Sequence, residues 1–177
     1  NIFLWRDRLA AHLYPGLNQK YSNNYNIFQR SVDDCKPSIL NFENKNKTSI
    51  CVKINEKILE EIKKIQPDKI FISGFWLKDD LIKIERLITI LRQSGISNIY
   101  LVGPSVRWHD PLPKILLKKY RLSKKIPKYL SDKNHKYSFY LDKNIKDFAK
   151  KTSINYLYII KILCNENYNC LTKNKKK

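Results

Sequence analysis

Apolar positions along the chain change period several times, and the changes outline strands alternating with helices. Ile2-Phe3-Leu4-Trp5 is an unbroken apolar run, the mark of a buried strand. Leu9, His12, Leu13 and Leu17 then share one face of a helix over residues 8–18, whose end Pro15-Gly16 is expected to disturb. Residues 25–32 read as a second strand, and the chain stays polar and irregular through Lys47. From Asn55 the period is helical, with Ile58, Leu59, Ile62 and Ile65 on one face and Glu and Lys on the other, until Pro67-Asp68 stops it. Residues 69–73 form a strand leading into Gly74. Asp79 or Asp80 can cap the following helix, which carries Leu81, Ile84, Leu87, Ile88 and Leu91 and ends near Gly95. Residues 98–102 are a strand ended by Gly103-Pro104, and Pro111 and Pro113 open a short helix to about Tyr120. The lysine- and tyrosine-rich stretch 121–140 is expected to be a loop with helical turns. Asp142 caps a helix to about Lys151, and residues 156–160 read as a strand. This alternation predicts an α/β fold, a three-layer α/β/α sandwich whose parallel sheet is covered on both faces. No internal repeat or domain boundary interrupts it, so residues 1–177 are expected to be a single domain.

Composition changes this picture little. A chain of 177 residues with 42% hydrophobic content can fill one sizeable core. The formal net charge of +19 invites a nucleic-acid reading, because Lys and Arg neutralise phosphates. Yet the lysines are spread over helices, loops and terminus beside abundant Asn and Ile, all encoded by A/T-rich codons. No RNP-type aromatic strand, zinc-finger spacing or heptad-linked basic helix accompanies them. No nucleic-acid partner is expected, and the final Lys-Asn-Lys-Lys-Lys reads as a frayed tail. No stretch approaches the roughly 18 to 20 apolar residues of a membrane span, and no signal peptide opens the chain. Anything that exports or anchors it is expected to lie outside. The sequence contains no methionine, so Asn1 is not expected to be a natural start.

The four cysteines, Cys35, Cys51, Cys164 and Cys170, form no Cys-x-x-Cys pair and have no histidine at zinc-finger spacing. No metal or cofactor is expected. Two local disulfides, Cys35 with Cys51 and Cys164 with Cys170, would each close a short loop; the alternative is four reduced thiols in a cytosolic protein. The even count in two near pairs points towards an oxidising compartment.

In a parallel sheet, sites form beyond the carboxyl ends of the strands. The segment there, Leu4-Trp5-Arg6-Asp7-Arg8-Leu9-Ala10-Ala11-His12-Leu13-Tyr14-Pro15-Gly16-Leu17, resembles the opening block of the SGNH-hydrolase-type domains fused to family-3 membrane acyltransferases, approximately Leu-Trp-Gly-Asp-Ser-His-Ala-Ala-His-Leu-Tyr-Pro-Gly-Leu. The likeness continues through Cys35-Lys36-Pro37, Cys51, Pro67 to Trp76, Tyr100 to Pro104, and Cys164 to Thr172, where the family has a short disulfide loop. It therefore spans nearly the whole chain in order. The resemblance implies a flavodoxin-like SGNH fold on the periplasmic or envelope face of the membrane. It further implies an acyl donor or acylated glycan as partner, commonly in O-acetylation of cell-surface glycans, and a membrane acyltransferase domain in the same polypeptide. The implied chemistry is acyl transfer. A serine at the first strand-to-helix turn attacks the acyl carbonyl, a histidine takes its proton, and an aspartate orients the histidine.

At that turn the chain departs from the family. Arg6 stands at the glycine position, Arg8 at the serine and Leu9 at the following histidine, while Asp7 remains. A guanidinium is protonated at ordinary pH and cannot be the nucleophile, and a glycine is lost from a turn expected to be tight. Each replacement is one base from the family residue, which suggests a decaying or misread gene. The family's Asp-x-x-His segment follows the Cys-Leu-Thr stretch, and the chain reaches Lys177 without one. The domain is therefore expected to be incomplete at its C-terminus and catalytically inactive.

The ancestral site positions are Asp7, Arg8, Gly74 and Trp76. The SGNH consensus places an oxyanion-hole asparagine after the third strand, where Trp76 stands as in the acyltransferase-linked group. Trp76 is either a wall of an acyl or sugar site or a core or rim aromatic. Trp108 and His109, beside Asp110 on an active-edge loop, are the possible substrate-lining residues. His12 is expected to be packed or on the surface, and His135 lies in a lysine-rich stretch expected to be surface. Ser31, Ser73 and Ser105 sit near strand ends, where serine is common for turn chemistry. Three readings follow in order: an inactive acyltransferase-linked SGNH domain, a glycan-binding module using Trp76 and Trp108 with surface lysines, and a basic nucleic-acid-binding protein.

Overall fold

The computed structural model describes residues 1–7, 13–39 and 50–173. Along the chain run β1 (Ile2–Asp7), α1 (Leu13–Tyr21), β2 (Ile27–Val32), α2 (Ile50–Ile65), β3 (Lys69–Ser73), α3 (Asp80–Gln93), β4 (Ile99–Val102), α4 (Leu112–Ser123), β5 (Tyr129–Ser131), α5 (His135–Lys151), β6 (Asn155–Leu157), α6 (Ile159–Leu163) and β7 (Asn169–Leu171). Five strands form one parallel sheet in the order β2-β1-β3-β4-β6. The remaining two, β5 and β7, pair antiparallel beside it.

The apolar run of β1 suits the middle of such a sheet, and all six of its residues are buried. Register distributes its side chains. Phe3 pairs with Ile70 and Ile70 with Ile99, placing Phe3, Trp5, Ile70, Ile72, Ile99 and Leu101 on one face. Against them pack Ile62 of α2, Leu87, Ile88 and Leu91 of α3, and Leu141 and Ile145 of α5. The opposite face carries Ile2, Leu4 and Phe71, covered by Leu13, Leu17 and Tyr21 of α1 with Tyr25 and Tyr100. The predicted α/β sandwich forms, with a thick core on one side and a thin, tyrosine-rich one on the other.

Several boundaries differ from expectation, each for a physical reason. Pro15 and Gly16 lie in the first turn of α1, which runs on to Tyr21; proline is tolerated there because the first backbone N–H groups have no intrahelical partner. The start of that predicted helix, with Arg8, Leu9 and His12, lies outside the described residues. The helix α2 begins at Ile50, five residues earlier than Asn55, and a disulfide from Cys51 in its first turn to Cys35 ties it to the end of β2.

The stretch 121–140 is not a loop: it holds β5 and the first turns of α5. Its buried face is His135, Ser138, Leu141, Ile145 and Ala149, at helical spacing, but two of these are polar and hide the period. His135, expected at the surface, is fully buried. The strand predicted at 156–160 ends at Leu157, and Ile159 and Ile160 open α6. A second disulfide, Cys164–Cys170, closes the loop from α6 into β7.

Candidate functional site

The strand order places a topological switch between β1 and β3. The chain leaves β1 for β2 on one side and returns to β3 on the other, which opens a crevice at the carboxyl ends of those two strands. Asp7 closes β1 there, and its buried Oδ2 accepts a hydrogen bond from the backbone N–H of Phe75. Gly74 lets the chain turn close. A Cβ on it would lie 3.1 Å from two ring atoms of Trp76 and 3.4 Å from Asp7 Oδ2.

Trp76 turns inward, 1% exposed, and its Nε1–H donates to Val102 O at 2.8 Å. It wedges the end of β3 against β4 and presents no ring face for stacking. Behind the turn, Trp5 Nε1 donates to Asn55 Oδ1 at 3.3 Å and Asn55 Nδ2 to Lys36 O at 2.8 Å. Lys36 Nζ then meets Asp80 Oδ2 at 2.6 Å, and the same oxygen accepts from Leu77 N at 2.8 Å. This chain links β1, α2 and the disulfide-bonded loop to the start of α3, so the 74–80 segment is held from both sides.

Arg6 is accommodated differently from the expectation of a lost tight turn. It remains within β1, in register with Ser31 and Ser73. Its buried guanidinium donates to Ser31 Oγ at 3.1 Å and to Asp7 O at 3.2 Å. Among the described residues Nε has no hydrogen-bond partner. Burial pulls the Arg6 pKa down from its ordinary value, and the Asp7 charge opposes the shift. Arg8, expected from the resemblance at the nucleophile position, lies outside the described residues.

Next to Phe75 a cavity of about 680 Å³ opens, lined by Phe75, Ser105, Val106, Arg107, Trp108, Asn134 and Tyr137. Arg107 organises it. Its Nη2 donates to Trp76 O at 2.6 Å, and its guanidinium carbon lies 3.8 Å from the centre of the Phe75 ring and 5.2 Å from that of Tyr137. Burial lowers the Arg107 pKa, with Tyr137 pushing the other way. The arrangement offers a concave, largely aromatic wall with one organising cation, suited to an uncharged or anionic ring stacked on Trp108 or Tyr137. Residue 75 is fixed to Asp7, so the cavity adjoins the β1–β3 crevice.

His109 does not join this cavity. It lines a second one beside α4 and hydrogen-bonds through Nδ1 to Asp132 Oδ2 rather than pairing closely with Asp110, whose carboxylate stands 3.8 Å from Nε2. Asp132 also accepts from Asn134 N at 2.9 Å and His109 N at 3.3 Å. Burial pushes the Asp132 pKa up, but these hydrogen bonds outweigh it and hold the carboxyl below its ordinary value. The pair therefore ties the 103–113 loop to the start of α5. His135 contacts Trp108 edge-on at 4.5 Å between ring centres, and its Nδ1 bonds to Tyr168 O at 2.7 Å.

Of the predicted positions, the structure brings Asp7, Gly74 and Trp76 together at the crevice and Trp108 to the neighbouring cavity. Ser31 is taken up by Arg6, Ser73 is buried in β3, and Ser105 lines the cavity. Sequence reasoning did not single out Phe75, Arg107 or Tyr137 as site residues. Phe75 and Arg107 carried a signal, Phe75 between Gly74 and Trp76 on an expected active-edge turn and Arg107 as the neighbour of Trp108 on an expected active-edge loop; Tyr137 carried none. Among the described residues no group of three or more His, Cys, Asp or Glu is placed to hold a metal ion.

No curated protein matches the chain. A solved structure, the periplasmic domain of the lipopolysaccharide acetyltransferase of Salmonella ser. Paratyphi A, superposes with a TM-score of 0.83 at 26% identity. The match covers 98% of this chain and 71% of that one. The family model for the SGNH domain fused to AT3 domains matches residues 1–176. With its sheet order, its crevice at Asp7 and this match over nearly its full length, the chain belongs to the family of SGNH domains fused to AT3 domains.

Proposed function

We propose that this chain is the glycan-facing SGNH domain of an envelope acyltransferase that O-acetylates cell-surface glycans, and that it holds its ligand without turning it over. The observation that carries the reading is the aromatic cavity of Phe75, Arg107, Trp108 and Tyr137 beside Asp7, in a family member whose nucleophile position is Arg8. A permanently protonated guanidinium has no electron pair with which to attack an acyl carbonyl, so no acyl-enzyme can form at that position. The lipopolysaccharide acetyltransferase neighbour supports a lipopolysaccharide-type acceptor and a periplasmic setting. The fusion that names the family supports a membrane acyltransferase domain as partner.

Binding without turnover is favoured by the same cavity. Trp76 is sealed in the core, so stacking falls to Trp108, Phe75 and Tyr137. The test combines two measurements on the purified chain: hydrolysis of p-nitrophenyl acetate, and calorimetric titration with O-antigen oligosaccharide in acetylated and deacetylated forms. The expected result is no hydrolysis above the buffer rate and saturable oligosaccharide binding that Trp108→Ala weakens by about tenfold, the loss of one stacked ring. Saturable esterase turnover would overturn the inactive reading. Oligosaccharide binding that ignores Trp108→Ala would overturn the placement of the ligand.

A further inference from the structure

The helix α4 is solvated along its whole length. No residue of its 12 is buried, Leu117 is 51% exposed and Leu122 77%. From Leu112 to Lys128 the chain carries seven basic residues, Lys114, Lys118, Lys119, Arg121, Lys124, Lys125 and Lys128, and no acidic one. Helical geometry sets Lys114, Lys118 and Arg121, at i, i+4 and i+7, in one stripe, with Leu117 on one flank and Leu122 on the other. Just beyond the helix, Lys124 adopts a left-handed conformation at the C-cap, and Ile126 and Tyr129 follow, both exposed. Among the described residues, the ion pair on this helix is Lys114 with Asp110 at 3.0 Å, which leaves most of the stripe's charge uncompensated.

Neither half of this pattern is explained by the fold. Exposed leucines on a helix with no buried residue contribute nothing to the core. Like charges in one stripe repel one another and weaken the helix slightly. A second copy of this chain would bring two such stripes face to face, and a nucleic acid would use the cations but leave the leucines in water. A bilayer with anionic headgroups uses both. Phosphates pair with the stripe, and the flanking leucines enter the acyl boundary.

We propose that α4 and the turn that follows it are a docking surface for an anionic phospholipid bilayer, on which the domain lies with Lys114, Lys118 and Arg121 at the phosphates and Leu117 and Leu122 below them. The surface is separate from the crevice at Asp7, and its occupancy does not depend on the glycan reading.

The test is co-sedimentation of the purified chain with vesicles of phosphatidylglycerol and phosphatidylcholine in equal parts, against pure phosphatidylcholine, at about 0.1 M salt. The chain is expected to bind the anionic vesicles and not the neutral ones. Two double variants separate the contributions: Leu117→Ser with Leu122→Ser keeps every charge, and Lys118→Glu with Arg121→Glu keeps both leucines. Each is expected to weaken binding by about tenfold or more while leaving circular dichroism unchanged, because all four side chains are exposed. As a direct reading of insertion, Leu122→Trp fluorescence is expected to be quenched by brominated phosphatidylglycerol. Failure to bind anionic vesicles overturns the proposal. Undiminished binding by the leucine variant also overturns it, since diffuse attraction by the +19 charge would then suffice.

Discussion

Replacing Gly103 with alanine tests how the cavity-bearing loop is anchored. Gly103 is buried just past β4, and its N–H donates to Leu157 O at 2.9 Å, continuing the pairing of β4 with β6. An added Cβ would sit 2.4 Å from Tyr156 Oη, 2.9 Å from Tyr156 Cζ and 2.9 Å from Leu157 O. None of these can yield cheaply. The carbonyl is backbone in a strand, and the phenol is rigid and tied by its hydroxyl to Asp142 Oδ1 at 2.6 Å. Overpacking of a tight site costs about 1–3 kcal/mol. If the ring is displaced, loss of a hydrogen bond to a carboxylate adds about 1.5–3 kcal/mol.

With both contributions the expected loss is about 2.5–6 kcal/mol out of a total stability of about 5–15 kcal/mol. For a chain of this length, at about 2–4 °C per kcal/mol, that lowers Tm by roughly 5–24 °C. Urea denaturation followed by circular dichroism measures it, and Tyr156→Phe completes a double-mutant cycle. Removing the hydroxyl relieves the shortest overlap, so the double variant should lose at least about 1 kcal/mol less than the two single losses added together. An alanine variant within about 0.5 kcal/mol of the parent, or strictly additive losses, would refute the steric argument.

The partly buried carboxylates Asp142 and Asp132 should respond to pH with opposite signs. Burial raises the Asp142 pKa, against the Tyr156 hydrogen bond and Lys146, so the folded state holds its proton more tightly than the unfolded chain and stability falls as pH rises from about 4. Asp132 is held below its ordinary value, so its contribution is present above about pH 4 and disappears on further acidification. Stability–pH curves of Asp142→Asn and Asp132→Asn should therefore flatten on opposite sides, and two variants changing the curve in the same direction would contradict the assignment. Trp76→Phe should cost about 2–4 kcal/mol in urea, from the orphaned Val102 carbonyl and the void left by the smaller ring. Reduction by dithiothreitol should lower the urea midpoint, the 16-residue separation of Cys35–Cys51 contributing about 3 kcal/mol and the 6-residue separation of Cys164–Cys170 about 2 kcal/mol in the chain-entropy picture, measurable with single cysteine-pair deletions.

Much of the scaffold was legible because its signals are local. The apolar runs of β1, β3 and β4 and the repeating apolar positions of α2 and α3 report burial within a few residues of themselves, so their type and order could be read directly. The opening block around Asp7 is local in the same way, and the structure places Asp7 at the end of β1 beside Phe75. The reading failed where a buried face is built from polar residues, as with His135 and Ser138 of α5, or where a strand is three residues long and stabilised by its partner, as with β5 against β7.

By itself the sequence determined a parallel α/β scaffold with Asp7 and Gly74 at the carboxyl ends of β1 and β3, and it carries an arginine at the position where the resemblance implies a nucleophile. Only the tertiary structure decided that Trp76 is a core wedge rather than a stacking surface, that His109 answers to Asp132 across 23 residues, and that Phe75, Arg107 and Tyr137 share one wall. The reason is that periodicity reveals which way a side chain points relative to its own neighbours in the chain. Strand order and register decide which distant side chains it meets.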